Sequence, residues 1–440
     1  MTKRSLHVVL VDRTGPRLLE LLAAALDGSG PAIAPLDAGL PPARLAALLE
    51  ALGPDTVEGP DGATTARSAE KKDVAEGTAV IVGTSGSTGA PKGVELGAAA
   101  LLHSAGASLA RIGTRPGERW LCCLPATHVA GIQVLVRSLV SGTDPVLADR
   151  ADPTTVAASG CVHVSLVPTQ LRRLLDGEEG GEQGEGPRAL DGFRSVLLGG
   201  AAAPAGLLDA ARAAGVPVIT TYGMTETCGG CVYDGLPLDG VRVRIDGEDD
   251  RIWIGGPVLF SGYLGGLPAP GDGWFRTGDL GRLDSAGRLV VRGRADDVIN
   301  TGGHKVIPGE VAAVLQGCPG VRDVAVLGQP DPEWGERVVA VIAPTDPDDP
   351  PSLELLRMRV RERLPRYAAP SSVVMVDALP MLPSGKHDLA RLGRELLRGN
   401  KLRRRTLHTS ARTMRPARSA RGNEGYLVET RERRVDCVRI

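Results

Sequence analysis

Short apolar runs alternate with helical patterns over the first half of the sequence, and this alternation limits the folds open to the chain. Residues 17–26 and 41–52 place leucine and alanine at helical spacing, with proline near the start of each segment. The apolar runs are residues 79–82, 162–167, 196–198 and 216–219. Short strands separated by helices pack as a mostly parallel sheet covered by helices. This part of the chain is therefore predicted to be a layered α/β domain.

The pattern changes after Gly235, where apolar residues alternate with charged ones. Residues 241–245, 251–254 and 288–292 follow this two-residue period and are separated by glycine-rich turns. Such a pattern is typical of antiparallel strands. From Asp296 the mixed strand and helix patterns return, which predicts a second, small α+β domain of about a hundred residues.

Three stretches are predicted to lie outside the packed elements. Residues 53–77 and 176–187 are rich in glycine and polar residues and predict loops. Residues 401–440 hold 12 Lys or Arg against 4 Asp or Glu, whereas the whole chain carries a formal charge of −1. This basic tail is predicted to be disordered. An unselected extension is favoured over an RNA or acidic-membrane contact, and no specific nucleic-acid partner is expected.

Composition excludes several other classes of protein. No apolar run reaches the ~18 residues of a membrane-spanning helix, and the first apolar stretch stops at Asp12, too early for a signal peptide. A cytoplasmic protein without membrane insertion is expected. Seven cysteines fit reduced thiols better than disulfides, and Cys228 with Cys231 favours incidental thiols over zinc or redox use. The oligomeric state stays open, with a homodimer as one option.

One glycine-rich run follows directly on the apolar residues 79–82. It reads Thr84-Ser85-Gly86-Ser87-Thr88-Gly89-Ala-Pro-Lys92-Gly93. Small hydroxyl residues and glycine let backbone N–H groups curl around a phosphate, and Lys92 supplies a nearby positive charge. A Walker A loop needs Gly-Lys followed by Ser or Thr, whereas Lys92 stands between Pro91 and Gly93. The run predicts a phosphate-binding loop of another kind, and a plain polar loop is the less favoured alternative.

With this run the chain resembles the acyl-adenylate-forming superfamily of acyl-CoA synthetases, luciferases and peptide-synthetase adenylation domains. The later motifs of that superfamily recur in order: Gly199-Gly200-Ala201-Ala, Thr221-Tyr222-Gly223-Met224-Thr225-Glu226, Gly273-Trp-Phe-Arg-Thr-Gly-Asp279-Leu, Gly293-Arg294-Ala-Asp296, Gly302-Gly303 and Pro383-Ser-Gly-Lys386. Ordered recurrence is far more specific than any single motif. The resemblance covers residues 6–395.

The resemblance implies an α/β fold with a large N-terminal domain of layered α/β sheets, a small β-rich subdomain, and a small mobile α+β C-terminal domain. Residues 1–294 would form the adenylation domain that binds ATP and the acid. Residues 295–395 would form the mobile domain that carries the catalytic lysine, and residues 396–440 the basic tail.

The resemblance also implies how ATP and Mg²⁺ are held. The ring of Tyr222 can stack on the purine, and Asp279 can accept hydrogen bonds from both ribose hydroxyls, with Arg294 on the same sugar. Glu226 is a natural Mg²⁺ ligand. The expected ATP-binding residues are Thr84, Ser85, Gly86, Ser87, Thr88, Gly89, Lys92, Gly200, Ala201, Thr221, Tyr222, Gly223, Met224, Asp279 and Arg294. The expected catalytic residues are Lys386, Glu226 and Thr225.

The implied reaction has two steps. A carboxylate oxygen attacks the α-phosphorus of ATP, pyrophosphate leaves and an acyl adenylate remains; the thiol of CoA then displaces AMP. Lys386 is implied to hold the carboxylate and α-phosphate oxygens during the first step. For the second step the small domain rotates about a hinge at Asp296, and Gly303 lines the thiol channel. His304 departs from the acidic residue often found there and is expected to be an exposed loop histidine without a catalytic part.

A short segment ahead of the phosphate loop distinguishes one branch of the superfamily. Together with the motifs Leu124-Pro-Ala-Thr-His128 and Leu166-Val-Pro-Thr169, this short segment means that the chain resembles the o-succinylbenzoate-CoA ligases of menaquinone synthesis, particularly the short actinobacterial type. His128 lies where the family closes the acyl pocket, Thr169 is expected to line it, and no Asp stands there to hold an amino group. Arg137, nine residues after His128 on a predicted helix, is hypothesised to bind a second carboxylate. An ordinary helix-surface arginine is the alternative.

Three alternatives to this function stay open in the sequence. A CoA ligase for another aryl or medium-chain acid would use the same motifs, and no single residue excludes a carrier-protein thiol in place of CoA. A degenerate adenylate-binding module is disfavoured, because a module freed from catalysis would be expected to lose Lys386 early. The predicted enzyme is an AMP-forming acid–thiol ligase.

Overall fold

The computed structural model describes most of the chain. Backbone and side chains are described for residues 4–12, 15–66, 72–84, 92–177, 188–266, 271–382 and 387–397. The backbone alone is described for residues 85, 91, 187 and 405–407. In these segments no helix combines the length and the apolar character needed to span a membrane.

The elements before residue 295 alternate between strands and helices in the first two thirds and are mainly strands thereafter. The strands are β1 (Leu6–Val11), β2 (Ala32–Asp37), β3 (Thr56–Glu58), β4 (Thr64–Ala66), β5 (Thr78–Ser85), β6 (Pro91–Gly97), β7 (Trp120–Cys122), β8 (Val146–Leu147), β9 (His163–Leu166), β10 (Ser195–Leu198), β11 (Val218–Met224), β12 (Gly229–Tyr233), β13 (Leu236–Pro237), β14 (Arg242–Ile245), β15 (Arg251–Gly255), β16 (Gly262–Tyr263), β17 (Trp274–Leu283) and β18 (Leu289–Arg294). The helices are α1 (Pro16–Asp27), α2 (Pro42–Leu52), α3 (Ala98–Ile112), α4 (Val129–Val140), α5 (Pro153–Ala158), α6 (Pro168–Asp176) and α7 (Ala205–Ala213), with short 3-10 helices at Pro187–Leu190 and Thr225–Thr227.

The elements after residue 295 form a smaller mixed set. The strands are β19 (Ile299–Thr301), β20 (His304–Val306), β21 (Val321–Asp331), β22 (Gly335–Pro344), β23 (Ser372–Met375) and β24 (Arg405–Leu407). The helices are α8 (Pro308–Gln316), α9 (Leu353–Arg363) and α10 (Leu389–Leu397), with a 3-10 helix at Arg366–Ala368.

The two predicted N-terminal helices are confirmed as α1 and α2. Each has proline in its first turn, where the missing N–H has no helical acceptor to lose. Each ends at a glycine in the left-handed conformation, Gly28 with φ 84° and Gly53 with φ 56°, which a residue with a side chain adopts only at a cost.

The first sheet has seven strands in the order β16-β6-β5-β2-β1-β3-β4. Its centre is parallel, whereas β5 and β6 form an antiparallel hairpin around the phosphate loop. The prediction of a loop over residues 53–77 is wrong in part, because β3 and β4 pair within it. Val57 lies opposite Val8 in the sheet, and Val57 and Val74 are buried in the same apolar cluster, so these two side chains anchor an otherwise mainly polar segment.

The second sheet confirms the predicted parallel layer. Its order is β13-β12-β11-β10-β9-β7-β8, and the pairs β8–β7, β7–β9, β9–β10 and β10–β11 are parallel. The carboxyl ends of parallel strands meet at one edge, which is where α/β proteins bind ligands. The residues that follow β9 and β10 therefore lie beside the end of β11.

The third sheet confirms the predicted antiparallel segment. It has the order β14-β15-β17-β18, and its register places Asp279 opposite Arg294. Val243, Ile252 and Ile254 from this sheet pack into the main core of the large domain. The small β-rich subdomain is thereby joined to the α/β sheets through one apolar face.

The C-terminal elements form one mixed sheet covered on both faces. Its path is β20-β19-β22-β23-β24, with β21 on β22. Val311 of α8 and Leu356 of α9 belong to one buried cluster, and Leu392 of α10 belongs to another. The prediction of a disordered tail is wrong for Arg405–Leu407, because their backbone pairs antiparallel with β23.

The large and small parts of the chain have separate cores. Among the described residues, none of the buried apolar clusters combines residues from before and after position 294. The expected fold, a large N-terminal domain with a small C-terminal one, is confirmed, whereas the exact boundaries 1–294, 295–395 and 396–440 stay predictions. The loop predicted at residues 176–187 falls largely on residues outside the described ones.

Candidate active site

Three of the predicted nucleotide-binding residues meet where β11 faces the third sheet. The hydroxyl of Tyr222 donates a hydrogen bond to Oδ2 of Asp279 at 2.8 Å, and Nη1 of Arg294 lies 3.3 Å from Oδ1 of the same carboxylate. Asp279 is buried, whereas the side chain of Arg294 is 52% exposed. Burial and the neighbouring Asp279 raise the pKa of the Tyr222 hydroxyl, so the hydroxyl remains a donor.

The predicted hinge residue adjoins this group. Nη2 of Arg294 lies 3.7 Å from Oδ2 of Asp296, whose side chain is exposed. Arg294 therefore contacts both the carboxylate of Asp279, which is predicted to bind the ribose, and that of Asp296, just after β18. A change in the chain direction at Asp296 would alter the position of this guanidinium.

Tyr263 contacts both Glu226, the predicted metal ligand, and Lys92, which lies on the β5–β6 hairpin (the phosphate hairpin). Its hydroxyl donates to Oε1 of Glu226 at 3.0 Å, and Nζ of Lys92 lies 5.5 Å from its ring centroid. Strand β16, which carries Tyr263, pairs antiparallel with β6, which carries Lys92. Burial and the neighbouring Glu226 raise the pKa of the Tyr263 hydroxyl.

Two parts of the predicted machinery are only partly described. Thr84 lies opposite Lys92 across the β5–β6 hairpin, and its hydroxyl is 3.5 Å from the Lys92 carbonyl oxygen. Several of the predicted site residues lie outside the described ones. They are Gly86, Ser87, Thr88, Gly89 and Lys386, together with the side chain of Ser85.

Close backbone packing explains the glycines of two predicted motifs. A Cβ on Gly199 would lie 2.3 Å from Oγ1 of Thr221, which itself donates to the Leu198 carbonyl at 3.2 Å. A Cβ on Gly223 would lie 2.0 Å from the carbonyl oxygen of Gly229. Because neither position has room for a side chain, β11 passes directly against its neighbours and presents Thr221 and Tyr222 at the site.

The remaining residues of these motifs line the same strand edge. Gly200 has a φ of 81°, and Ala201 after it is exposed. The backbone N–H of Met224 donates to Oγ1 of Thr227 at 2.9 Å. Thr225 begins the 3-10 helix, and its carbonyl oxygen accepts from the N–H of Cys228 at 3.0 Å. These bonds fix the direction of the chain at Glu226.

The predicted acyl-pocket residues lie at helix starts. His128 is the residue before α4, is exposed, and has Nδ1 3.1 Å from Oγ1 of Thr127. Thr169 is the second residue of α6 and is half-buried. Both lie at the carboxyl-end edge of the parallel strands.

Arg137 is deeply buried, so the alternative of a helix-surface arginine is wrong. The residue is 6% exposed. Its Nη2 donates to Oγ of Ser165 at 3.0 Å and its Nη1 to Oγ of Ser108 at 3.4 Å. The guanidinium carbon lies 4.3 Å over the ring of Trp120. Among the described residues no carboxylate pairs with it, and its Nε has no hydrogen-bond partner.

The two domains meet beside the predicted hinge. Nε of Arg292 on β18 donates to Oε1 of Glu310 on α8 at 2.7 Å, and its Nη1 donates to Oδ2 of Asp250 at 2.8 Å. A Cβ on Gly293 would lie 2.7 Å from Cγ2 of Ile307. Helix α8 therefore packs tightly on β18 and positions the β19–β20 turn.

That turn carries the predicted channel residue. Gly303 has a φ of 79°, and a Cβ there would meet no atom within 4 Å. The next residue, His304, is exposed and stacks on Tyr367 with ring centroids 4.2 Å apart and planes 5° apart. Among the described residues, no contact of His304 reaches a group of the site described above.

The cysteine pair does not form a metal site in the described part of the chain. Cys228 and Cys231 are free and buried, and burial raises the pKa of both thiols. No group of three or more His, Cys, Asp or Glu side chains among the described residues could hold a metal ion. Thiols that stay protonated are poor nucleophiles and poor metal ligands.

Sequence reasoning missed four residues that contact the predicted ones. Tyr263 contacts Lys92 and Glu226, and the guanidinium of Arg137 contacts Trp120, Ser108 and Ser165. The two aromatic residues belong to a chain with only 3% aromatic residues, which is a usable signal. The two serines carry no comparable signal, because serine is common in helices and strands of every kind.

Two family models match the chain. The model described as AMP-binding enzyme matches residues 54–264, and the model described as AMP-binding enzyme C-terminal domain matches residues 310–386. The second match ends at the predicted catalytic lysine.

Curated relatives match most of the chain. The probable 2-succinylbenzoate–CoA ligase of Mycobacterium tuberculosis is 42% identical over 405 residues, which is 89% of this chain and 98% of the relative. The 2-succinylbenzoate–CoA ligase of Bacillus subtilis is 34% identical over 339 residues, 71% of this chain and 68% of the relative.

Solved structures agree with the fold. The o-succinylbenzoate CoA synthetase of Bacillus subtilis, in complex with its acyl-adenylate intermediate, has a TM-score of 0.74 at 27% identity and covers 90% of this chain and 88% of its own. The same enzyme has also been solved with ATP and a magnesium ion, with a TM-score of 0.73 at 27% identity and 90% coverage of both chains. ATP-bound MatB from Rhodopseudomonas palustris, at 24% identity and a TM-score of 0.77 over 90% of this chain and 89% of its own, supports the fold alone.

Proposed function

This chain belongs to the AMP-binding enzyme family, and we propose that it is an AMP-forming ligase that joins o-succinylbenzoate to CoA. The reaction converts o-succinylbenzoate, ATP and CoA to o-succinylbenzoyl-CoA, AMP and pyrophosphate through an acyl adenylate. The 42% identity to the mycobacterial ligase along nearly its whole length supports this assignment.

The buried arginine is the observation that carries the substrate assignment. A guanidinium removed from water is costly unless it is paired, and none of the described partners of Arg137 is a carboxylate. They are the hydroxyls of Ser108, Ser165 and Tyr233 and the indole ring of Trp120. A second carboxylate on the substrate would supply the missing anion with two parallel hydrogen bonds. The acid therefore has two carboxylates, one activated at the α-phosphate and one bound by Arg137.

The nucleotide half of the site fits ATP. An ionised carboxylate has about four acceptor positions, so Asp279 can serve the ribose hydroxyls while it accepts from Tyr222 and Arg294. The Tyr222 ring, fixed through its hydroxyl, provides a flat face for the adenine. Arg294 is exposed enough to reach the same sugar.

The phosphate half fits Mg²⁺ and the triphosphate. Glu226 has Oε1 bound by Tyr263, whereas its Oε2 has no hydrogen-bond partner among the described residues, and one or two carboxylates with phosphate oxygens are the usual Mg²⁺ ligands in nucleotide sites. The bound cation would neutralise phosphate charge. Tyr263 orients the carboxylate, and Lys92 adds a positive charge on the side of the phosphate hairpin. Thr225 offers a hydroxyl beside Glu226.

The two half-reactions require different residues. In the first, Lys386 would stabilise the carboxylate and α-phosphate oxygens as charge redistributes. In the second, the thiol of CoA would attack the acyl carbonyl after the small domain rotates about Asp296 and brings Gly303 to the channel. That rotation has to exchange the Arg292–Glu310 pair, which holds the present arrangement.

ATP–pyrophosphate exchange across a panel of carboxylic acids tests the substrate assignment. We expect o-succinylbenzoate to be used far better than benzoate, medium-chain acids or its two monocarboxylic analogues, 3-benzoylpropanoate, which keeps only the succinyl carboxylate, and 2-butanoylbenzoate, which keeps only the ring carboxylate. The Arg137→Ala variant should lose about 2 to 5 kcal/mol of substrate binding, seen as a fall of roughly 30-fold or more in kcat/KM for o-succinylbenzoate and a much smaller one for 3-benzoylpropanoate. Equal losses for both acids, or preference for a monocarboxylic acid, would overturn the assignment.

A further inference from the structure

Two charged or titratable side chains contact the indole of Trp120 in the acyl half of the site. The guanidinium carbon of Arg137 lies 4.3 Å over the ring, and the imidazole of His163 contacts the same indole with its centroid 5.0 Å away and its plane tilted by 33°. Trp120 and His163 are both fully buried. Trp120 begins β7 and His163 begins β9, and these residues are partners in the parallel register.

The face of the Trp120 indole carries negative electrostatic potential, and the Arg137 guanidinium lies over it. The ring quadrupole of tryptophan attracts a cation within about 6 Å, and the attraction grows when water is excluded. Nε1 of Trp120 has no hydrogen-bond partner among the described residues, so the ring is not held there by its polar edge. Apart from its apolar packing in the main core, the described contacts of the indole are therefore made by its ring.

The imidazole of His163, the other side chain in contact with the indole, keeps the indole in place and stays uncharged. Nδ1 of His163 lies 2.8 Å from Oγ of Ser195, and its Nε2 lies 3.0 Å from Oε2 of Glu118, which also pairs with Arg194. Burial lowers the pKa of His163. A neutral His163 imidazole adds no second positive charge beside the indole ring that faces the Arg137 guanidinium.

We propose that Trp120 is a positioning residue for the acid substrate, because its indole face holds the Arg137 guanidinium in the orientation that meets the second carboxylate. The proposal rests on the proposed function, since it takes Arg137 as the group that binds that carboxylate. The two serine hydroxyls fix two of the N–H groups, and the indole fixes the plane. Without the indole, the guanidinium can rotate or withdraw, and the site loses selectivity for acids with two carboxylates.

Trp120→Leu and Trp120→Phe test this role in the full-length enzyme. Leucine removes the aromatic face, whereas phenylalanine keeps a weaker one. For Trp120→Leu we expect kcat/KM for o-succinylbenzoate to fall by about 10- to 30-fold, mainly through KM, and that for 3-benzoylpropanoate by less than about threefold. Trp120→Phe should recover a substantial part of the selectivity. In the Arg137→Ala background, Trp120→Leu should cause no further loss of selectivity.

Two matched variants separate positioning from general damage. Leu121→Ala alters the next residue of β7, which packs into a different apolar cluster, and should lower stability without changing the ratio of the two substrates. Trp253→Leu removes a half-buried indole that also contacts an arginine, Arg244 at 4.4 Å, and should leave that ratio unchanged. If Trp120→Leu does not fold, the ratio of kcat/KM for the two acids in Trp120→Phe decides whether Trp120 has the positioning role.

The outcomes for the two proposals differ. A selective loss for Arg137→Ala with an equal loss for both acids in the Trp120 variants would overturn the positioning role and leave the proposed function standing. An unselective loss for Arg137→Ala would overturn the dicarboxylate assignment itself. A Trp120→Phe variant with unchanged stability and no loss of selectivity, together with an unselective Trp120→Leu, would also overturn the positioning role.

Discussion

The nucleotide half and the acyl half of the candidate site differ in how their charged groups are paired. On the nucleotide side, Asp279 pairs with Arg294 and accepts from Tyr222, and the Arg294 side chain is 52% exposed. On the acyl side, Arg137 is 6% exposed and none of the described carboxylates pairs with it. Both halves contain a guanidinium, but water reaches only one of them.

Under the proposed function, this difference indicates that the acyl half is the half that selects the substrate. Exposed ion pairs contribute little and can exchange with a ligand at small cost, which suits a nucleotide that the whole family shares. A buried and unpaired cation penalises every acid that brings no anion to it. Gln133, on the same helix as Arg137, is likewise buried with an unpartnered Oε1, so the acyl half as a whole contains polar groups without partners.

The largest expected effect lies outside both halves, at the predicted catalytic lysine. Lys386→Ala should slow adenylation by 10² to 10³, as expected for one lost charge-stabilising donor, and leave thioester formation from supplied acyl adenylate nearly intact. The loss should be the same for o-succinylbenzoate and 3-benzoylpropanoate, because Lys386 acts on groups that both acids share. Single-turnover assays of each half-reaction measure this. Equal losses in both half-reactions would refute the assignment.

Asp279→Asn should affect the nucleotide half alone. Hydrogen bonds to a charged group contribute about 1.5–3 kcal/mol, so we expect KM for ATP to rise by roughly 10- to 100-fold. The preference for o-succinylbenzoate over 3-benzoylpropanoate should not change. Steady-state kinetics with each substrate varied in turn provide the test, and a changed acid preference would show that the two halves are coupled.

Arg137→Lys should sharpen the same contrast from the acyl side. An ammonium keeps the charge but not the paired geometry of a guanidinium, so roughly tenfold of the selectivity for o-succinylbenzoate should be lost. KM for ATP should remain near that of the unmodified enzyme. A lysine variant with full selectivity would mean that charge alone, without geometry, is recognised.

Tyr263→Phe should have a smaller effect, on the Mg²⁺ dependence of adenylation. The hydroxyl that orients Glu226 is removed while the ring beside Lys92 remains. We expect the Mg²⁺ concentration for half-maximal rate to rise by about three- to tenfold, as expected for one hydrogen bond to a charged group. A Mg²⁺ titration at saturating ATP measures it, and an unchanged midpoint would argue against the orienting role.

Truncation after Leu397 should have the smallest effect. It removes β24, which contributes three residues at the edge of the C-terminal sheet, together with the rest of the basic tail. We expect unchanged kinetics for both half-reactions and a fall in melting temperature of at most about 3 °C. Differential scanning calorimetry checks this, and a larger fall would show that the tail packs on the domain.

Much of the nucleotide half could be predicted from sequence because its residues lie in ordered local motifs. Tyr222, Asp279 and Arg294 were each named from the motif around them, and the structure brings the three side chains together. Tyr263 could not be found in this way, because its relation to Glu226 and Lys92 depends on the pairing of β16 with β6. That pairing joins residues far apart in the chain.

For the acyl half the sequence predicts His128, Arg137 and Thr169, but none of the side chains that contact the Arg137 guanidinium. The helical spacing from His128 to Arg137 indicated a shared element, which is α4. The spacing left open whether Arg137 faces solvent or the interior, because a helix with apolar residues all around gives no polar face to compare with. Helix α3 and strands β7 and β9 decide this by enclosing it with Ser108, Trp120 and Ser165.

Local order in the sequence thus determined the α/β alternation, the antiparallel segment and the second small domain, because hydrophobic period and turn residues act over a few positions. The nucleotide-binding roles of the motif residues follow from the family resemblance and stay predictions. The tertiary structure alone decided the short β3–β4 pairing, the role of Tyr263 and the buried stack of Arg137 on Trp120. Each of these depends on contacts between distant segments, and whether a charge is costly or harmless depends on how completely such contacts remove it from water.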